Sequence, residues 1–406
     1  MPQPAWQEID AAIGAGEILA LARRLVSLPS YAPDHEWEAG VAGALEDLLR
    51  REGLPVTRQP VVDGRENVVA VLPGRYPGPP LLLLNGHMDT VPPSGSMRYP
   101  PFAAEVHDGL LWGRGAVDMK GAVAAMTVAF VALHRAGLRP PRPLVLAAVV
   151  GEETGGIGTA ALGAGGPPAD LAVVGEPSGL AIIPAHRGVY RCDLVVRGRA
   201  AHGSTPELGV NAIGLAARLI VALDERLPVM WKDQRHPALG GPSVNIGTIR
   251  GGIAANVVPD RCEFTFAKRW IPGDSPERIR ADLEMVIAAS IGAAHAEILP
   301  DAAFDAVPRP PLDLAADHPL VRTLAETVGA VTGRPAAIGR FQAFTDAAVL
   351  QAAGTPAVVF GPGDLALAHT DEEHVAVDAL HAAARIYAGL ALRLCAEDEG
   401  RGAPTV

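Results

Sequence analysis

A chain of 406 residues exceeds the size that one hydrophobic core usually supports, so two domains are expected. Because 49% of the residues are hydrophobic and 19% are charged, the chain can bury a large core. The formal net charge of -11 argues against a nucleic-acid-binding or membrane-surface protein, since both need clustered Lys and Arg. Small-molecule substrates and protein partners remain as the binding partners that the composition allows.

Three features of the sequence predict a cytoplasmic protein. Cys192, Cys262 and Cys395 lack Cys-x-x-Cys spacing and would leave one thiol over if two paired, which favours a reducing compartment. The segment 1–8 has neither the basic start nor the apolar core of a signal peptide. The apolar stretch from Gly121 to Leu133 falls short of the ~20 residues of a membrane span.

Short continuous apolar runs predict strands that are buried on both faces. A long Ala-, Val- and Met-rich segment between two of them, Met119 to Ala136, predicts a buried crossover helix and hence an α/β layer. The four predicted strands are Leu81 to Leu84, Leu144 to Val150, Leu171 to Val174 and Ala357 to Phe360.

The middle of the chain has a different pattern, in the order strand, helix, strand, strand, helix. It predicts a small α+β domain over residues 188–300, inserted into a larger α/β domain that comprises 1–187 and 301–406. The predicted elements are Val189 to Arg197, Asn211 to Leu223, Ser243 to Ile249, Cys262 to Trp270 and Pro276 to Ala289.

Polar residues with metal-binding side chains follow the first apolar run and precede the predicted helix. His87 and Asp89 come after Leu84, in the turn where ligands gather in open α/β sheets. The alternative is a hydrogen-bonded loop histidine. Asp118 lies in the glycine-rich segment 113–121, where a helix N-cap is the simpler interpretation of a single aspartate.

The other apolar runs are followed by similar residues. Glu152 and Glu153 follow the second run, where one can bind metal while the other carries protons, or both can form a solvated acidic turn. Glu176 follows the third run and His369 the fourth. Histidines and carboxylates that recur at four strand ends are much harder to assign to chance than any one of them alone.

These motifs, taken in order, resemble a zinc-dependent family that includes acetylornithine deacetylase, succinyl-diaminopimelate desuccinylase, aminoacylase and glutamate carboxypeptidase. The resemblance covers the His-x-Asp turn, the Gly-Arg-Gly-x-x-Asp-x-Lys-Gly loop, the Gly-Glu-Glu loop, the Glu-Pro turn, the Ala-His-Gly segment and the final histidine. It implies a mixed-sheet, zinc-exopeptidase-like catalytic domain with an inserted ferredoxin-like dimerisation domain.

The resemblance also implies two divalent metal ions, zinc in the first place, with cobalt or manganese as substitutes. Three protein ligands per ion leave room for water or substrate. By this resemblance Asp118 bridges both ions, His87 and Glu176 complete one site, and Glu153 and His369 complete the other.

Other family positions have counterparts here. The resemblance makes Asp89 the acceptor of a hydrogen bond from His87, and Glu152 the general base and acid. His202 then acts across a homodimer interface on the oxyanion, although a core or loop histidine is the alternative. Asn256 and Arg269 would contact the substrate, and the arginine suits a carboxylate of the substrate through paired hydrogen bonds. The alternative for Arg269 is an exposed arginine that is only solvated.

The activity implied is hydrolysis of an N-acyl amino acid or related amide by a water that two metal ions activate. Glutamate at position 176 resembles the deacylases of the family, whereas many dipeptidases and carboxypeptidases carry aspartate. A dipeptidase or carboxypeptidase is therefore the alternative. A non-catalytic, metal-stabilised binding protein is a further one, which predicts loss of the base while the ligands persist.

Overall fold

The computed structural model describes residues 3–14, 16–32, 37–140, 142–166, 168–300 and 307–398. Its helices are α1 Gln3–Ala12, α2 Glu17–Val26, α3 Ala39–Arg51, α4 Gly121–Arg135, α5 Ile157–Gly163, α6 Ala212–Met230, α7 Pro276–Ser290, α8 Pro319–Thr332, α9 Asp346–Ala352 and α10 Val377–Asp398. Its strands are β1 Val56–Val62, β2 Arg65–Leu72, β3 Leu82–His87, β4 Val106–His107, β5 Leu110–Trp112, β6 Leu144–Val149, β7 Leu171–Val174, β8 Ala185–His186, β9 Gly188–Arg197, β10 Ala201–His202, β11 Ser243–Gly251, β12 Val257–Val258, β13 Arg261–Trp270, β14 Ala296–Pro300, β15 Leu312–Asp313, β16 Ala357–Val359 and β17 His374–Ala376.

The larger of two compact units comprises Met1–Pro184, Leu314–Gly339 and Thr345–Val406. Its six-stranded sheet has the order β1-β2-β6-β3-β7-β16. Strands β6, β3, β7 and β16 run parallel, whereas β2 is antiparallel to both of its neighbours, β1 and β6. This mixed sheet confirms the predicted α/β class. The carboxyl ends of β3, β6 and β7 meet at one edge, which is where the predicted ligands follow.

The hairpin of β1 and β2 extends the sheet on the far side from β16. Its two-residue turn is Asp63-Gly64, and both residues have positive φ, 46° and 77°. This is the turn that matches the right-handed twist of paired strands. An Asp-Gly pair between alternating residues is a signal from which the hairpin could have been predicted.

Helix α4 is buried along almost its whole length between the sheet and the other helices. Together with the preceding turn it gives a helical stretch, Ala116–Arg135, that is long and apolar enough to cross a membrane by length and composition. The expectation that the apolar helix is too short was therefore wrong. The burial of this stretch inside the unit is typical of a core helix.

The smaller unit comprises Ala185–Asp313 and Arg340–Phe344. Its antiparallel sheet, in the order β11-β13-β9-β14, packs against α6 and α7 around a core of its own. The smaller unit extends beyond the expected range of 188–300 at both ends, because strand β8 pairs with strand β15. Phe341 joins the unit through a β-bridge to His186. The side chain of Cys395 lies outside the described residues.

Candidate metal centre

His87 is the last residue of β3 rather than part of the turn after it. The strand continues because His87 still pairs with Val149 of the parallel strand β6. Its imidazole is buried, and Nε2 lies 3.0 Å from Asp118 Oδ1 and 3.7 Å from Glu176 Oε1. Burial by itself would lower the pKa of His87, but the hydrogen bond to Asp118 and the charge of Glu176 raise it well above 6.5.

Asp118 lies between two imidazoles and is not a helix N-cap. Helix α4 begins three residues later, and Asp118 has φ -124° and ψ 95°, outside the helical region. One carboxylate oxygen is 3.0 Å from His87 Nε2 and the other is 3.1 Å from His369 Nε2. Burial disfavours the charged carboxylate, yet the two histidines hold the pKa of Asp118 well below its usual range. A carboxylate with one oxygen toward each histidine has the geometry of a bridging ligand.

Glu153 and His369 form the outer part of the cluster. His369 Nε2 is 2.9 Å from Glu153 Oε1. Hydrogen bonds to Asp118 and Glu153 raise the pKa of His369 to about 10, while burial raises the pKa of Glu153. Ligand atoms of His87, Asp118 and Glu153 lie within 4.8 Å of one another.

Glu176 follows β7 and completes the group of five predicted ligands that the structure brings together. Its side chain is buried, and burial raises its pKa well above 4.5, with the charge of Asp118 adding to the rise. The pKa values of both histidines and of Glu153 and Glu176 are raised, which favours protons on the cluster where it lacks other positive charge. Nitrogen and oxygen donors packed this closely suit a divalent cation such as zinc, which would replace those protons.

Asp89 does not orient His87 in the way that the sequence suggested. His87 Nδ1 is bonded to the backbone carbonyl of Asp89 at 2.9 Å, while the nearer carboxylate oxygen is 3.6 Å away. The carboxylate instead accepts three backbone N–H bonds, at 3.0, 3.2 and 3.0 Å, from Gly151, Glu152 and Glu153. Three amides aligned on one carboxylate outcompete the imidazole, so Asp89 fixes the loop that carries both glutamates.

Glu152 is half-buried in that loop, next to the predicted ligand Glu153. Burial raises its pKa well above 4.5, and the negative charge of Glu176 adds to the rise. A carboxyl group with a raised pKa can both accept and return a proton near neutral pH. The loop is therefore not a solvated acidic turn.

The smaller unit brings His202 and Asn256 close together through its backbone. Strand β10 pairs with β12, and the N–H of Gly203 donates to the carbonyl of Asn256 at 2.7 Å. The His202 imidazole is exposed, and its Nδ1 accepts from the backbone N–H of Ser204 at 3.1 Å. Since Nδ1 acts as an acceptor, a neutral His202 carries its proton on Nε2 and presents a donor to solvent.

Arg269 has a neighbour that the sequence analysis missed. The pKa of Arg269 is lowered, first by burial and second by the positive charge of Arg187, which therefore lies close by. Arg187 donates to the Leu239 carbonyl at 2.9 Å and to Ser243 Oγ at 3.2 Å, both uncharged acceptors. Within the described residues neither arginine forms an ion pair. The sequence contains a signal for this proximity. Arg187 directly precedes β9, and the first residue of β9, Gly188, pairs with Trp270, the neighbour of Arg269.

The fold and the site together define a metal-dependent hydrolase. The family described as "Peptidase family M20/M25/M40" matches residues 83–393, so this chain belongs to that family. Acetylornithine deacetylase of Myxococcus xanthus is 34% identical over 345 residues, covering 82% of this chain and 86% of that protein. A probable carboxypeptidase of Aspergillus clavatus is 36% identical over 284 residues, 66% of each protein.

A solved structure supports the same fold. The chain superimposes on a dinuclear metal-binding peptidase of the M20 family from Bacillus subtilis with a TM-score of 0.70. The two are 17% identical, and the match covers 92% of this chain and 96% of the other. The resemblance drawn from the sequence motifs is therefore confirmed at the level of family and fold.

Proposed function

We propose that this enzyme removes the acyl group from an N-acyl amino acid or a related linear amide, using two divalent metal ions. The carboxylate of Asp118, which lies 3.0 Å from one histidine and 3.1 Å from another, is the observation that carries the proposal. His87 and Glu176 would hold one ion, Glu153 and His369 the other, and Asp118 both. Zinc suits these donors, and cobalt or manganese are the substitutes.

When bound, the ions would polarise the amide carbonyl and lower the pKa of a water molecule. The protein's own contribution is to hold and move the proton. Glu152, whose pKa burial raises, accepts that proton as the water attacks and delivers it to the nitrogen of the leaving amine. Asp89 keeps Glu152 in place through the loop amides.

Arg269 and Arg187 would bind an anionic group of the substrate. The two neighbouring guanidinium groups have no carboxylate partner among the described residues and repel each other, so a bound carboxylate would relieve that repulsion. Arg269→Ala is expected to raise the KM for an N-acetyl amino acid by about tenfold to a hundredfold, the value of a lost charged hydrogen bond. The matching amino acid amide, which lacks the carboxylate, is the control. Equal losses on both substrates would refute this role.

A dipeptidase or carboxypeptidase is the second candidate, because a relative is named a probable carboxypeptidase. Glutamate at position 176 supports the deacylase. The deciding experiment compares turnover of acetylated and succinylated amino acids with turnover of a dipeptide panel by the zinc-loaded enzyme. The proposal predicts faster cleavage of the acylated amino acids, and cleavage of dipeptides alone would overturn it.

We further propose a homodimer in which His202 serves the partner's site. Strand β11 forms an edge of its sheet, and Ile249 and Ile253 near its end are 53% and 90% exposed. A strand edge left unpaired within the described chain, with exposed isoleucines beside it, favours pairing with a second copy. Ile249→Lys should yield monomers by sedimentation and lose activity to the level of His202→Gln. The control, Met285→Lys on α7, should stay dimeric; an active Ile249→Lys monomer would contradict the proposal.

A further inference from the structure

Glu373 is a fully buried carboxylate that the proposed chemistry does not use. One oxygen accepts backbone N–H bonds from Gly115 at 2.8 Å, Val117 at 3.3 Å and Asp118 at 3.4 Å. The other oxygen pairs with the buried guanidinium of Arg114. All of its partners belong to the short segment that ends in Asp118.

These bonds join two of the ligand segments that lie outside the sheet, while Asp89 holds the third, the loop with Glu153. His87 lies within β3, and Glu176 follows Gly175, whose N–H still donates to the Asn85 carbonyl of β3 at 3.0 Å. Asp118 lies in a loop with non-helical backbone, and His369 lies in a loop with φ +63°. Glu373 follows His369 by four residues and contacts the backbone of Asp118 directly.

The alternative interpretation is that pairing of β17 with β5 already aligns the two segments. That pairing joins His374 to Trp112, and one further backbone bond, from Gly113 N–H to the Glu373 carbonyl at 3.3 Å, still leaves Asp118 five residues away. The intervening turn is irregular, with Gly115 at φ +82°. The Glu373 carboxylate reaches across it and accepts from the backbone N–H groups of Gly115, Val117 and Asp118.

We propose that Glu373 is a positioning residue that sets the separation of Asp118 and His369, and thereby the affinity for the metal ion that these two side chains share. The inference rests on the proposed function, because it requires two ions with Asp118 between them. Arg114 assists by neutralising the carboxylate, which would otherwise be a buried unpaired charge.

Glu373→Gln in the full-length protein is the main test. Glutamine keeps the shape but has one acceptor oxygen, which cannot serve Arg114 and the three amides together. Zinc binding to the chelator-treated chain is measured by titration calorimetry, and His369→Ala identifies the step that belongs to the His369 ion. The expected result is a loss of about 10- to 100-fold in affinity at that step, with the other step within about threefold of wild type.

Glu372→Gln is the matched control, since Glu372 pairs with Arg98 at the surface and both are more than half exposed. It should leave both binding steps at wild-type affinity. The inference is overturned if Glu373→Gln binds both ions like wild type. It is equally overturned if both steps weaken alike while the melting temperature of the metal-free chain falls, since that is the signature of a merely structural role.

Glu373→Asp keeps the test decisive if the glutamine variant does not fold. It retains the charge but shortens the side chain, so the carboxylate cannot reach the amides from the same backbone position. The same selective loss supports the inference, and unchanged or uniformly weakened binding overturns it. A wild-type chain that binds no second ion refutes the proposed function itself, and this inference with it.

Discussion

Lowering the pH is expected to destabilise the smaller unit through His186. This side chain is fully buried on β8, with Nδ1 3.0 Å from the Arg187 carbonyl and its ring 5.7 Å from that of Phe344. Burial lowers the pKa of His186 from 6.5 to about 4. The folded state therefore prefers the neutral imidazole. Its contribution to stability is complete above pH 6.5 and is lost as the pH falls toward 4.

The size of the loss follows from the two pKa values. At about pH 5 the imidazole of the unfolded chain is almost wholly protonated, whereas the folded one is still mainly neutral. Proton linkage then gives a decrease of about 2 kcal/mol in the free energy of unfolding between about pH 7.5 and pH 5. The limit below pH 4 is about 3.5 kcal/mol, since each pKa unit is worth about 1.4 kcal/mol.

Urea unfolding of the metal-free chain at the two pH values measures this decrease. His186→Gln cannot be protonated, so its decrease should be smaller than that of the wild type by about 2 kcal/mol. His295→Gln, at a half-exposed histidine of the same unit, should behave like the wild type. Equal pH dependence of wild type and His186→Gln would refute the assignment of a neutral buried imidazole.

Three further predictions follow from single contacts. Lys268→Met should lower the free energy of urea unfolding by about 3 kcal/mol, because it leaves the buried carboxylate of Asp274 without its ion-pair partner. The double variant with Asp274→Leu should have a free energy of unfolding within about 1 kcal/mol of the wild type. Gly158→Ala should lower the free energy of unfolding by about 1–3 kcal/mol, since a Cβ there would lie 2.4 Å from the backbone oxygen of Val150. An unchanged melting temperature would contradict this. Asp89→Asn should weaken zinc binding by about 10- to 100-fold, because it replaces one acceptor of the 151–153 amides with a donor, and wild-type affinity would refute that role.

The parallel strands could be predicted because burial on both faces leaves a continuous apolar run. The run Leu144 to Val150 corresponds to strand β6, Leu144–Val149, and the run Leu171 to Val174 corresponds to β7 residue for residue. Each run is followed by predicted ligands, so the site at the carboxyl ends was also predictable. The five side chains that the motifs selected do converge, although their roles as ligands remain a prediction.

Contacts between distant segments could not be predicted from local pattern. The carboxylate of Asp89 bonds to amides of residues 151–153, some sixty positions along the chain, and nothing near Asp89 in the sequence indicates this. The segment 340–344 returns to the smaller unit through a bridge between Phe341 and His186, which depends on tertiary packing. Glu373 gives no periodic signal either, because its partners, three backbone N–H groups and the Arg114 guanidinium, lie about 260 positions earlier in the chain.

We propose that Glu152 moves the proton in a metal-dependent hydrolysis while its neighbours hold the metal. Glu152→Gln preserves the shape of the side chain and its backbone bond to Asp89 but cannot take up a proton. We expect kcat on an N-acyl amino acid to fall by about 10²- to 10⁴-fold while the metal content per chain stays at the wild-type value. Retained activity would contradict the assigned role, and wild-type protein that binds metal without hydrolysing any amide would support a non-catalytic binding protein instead.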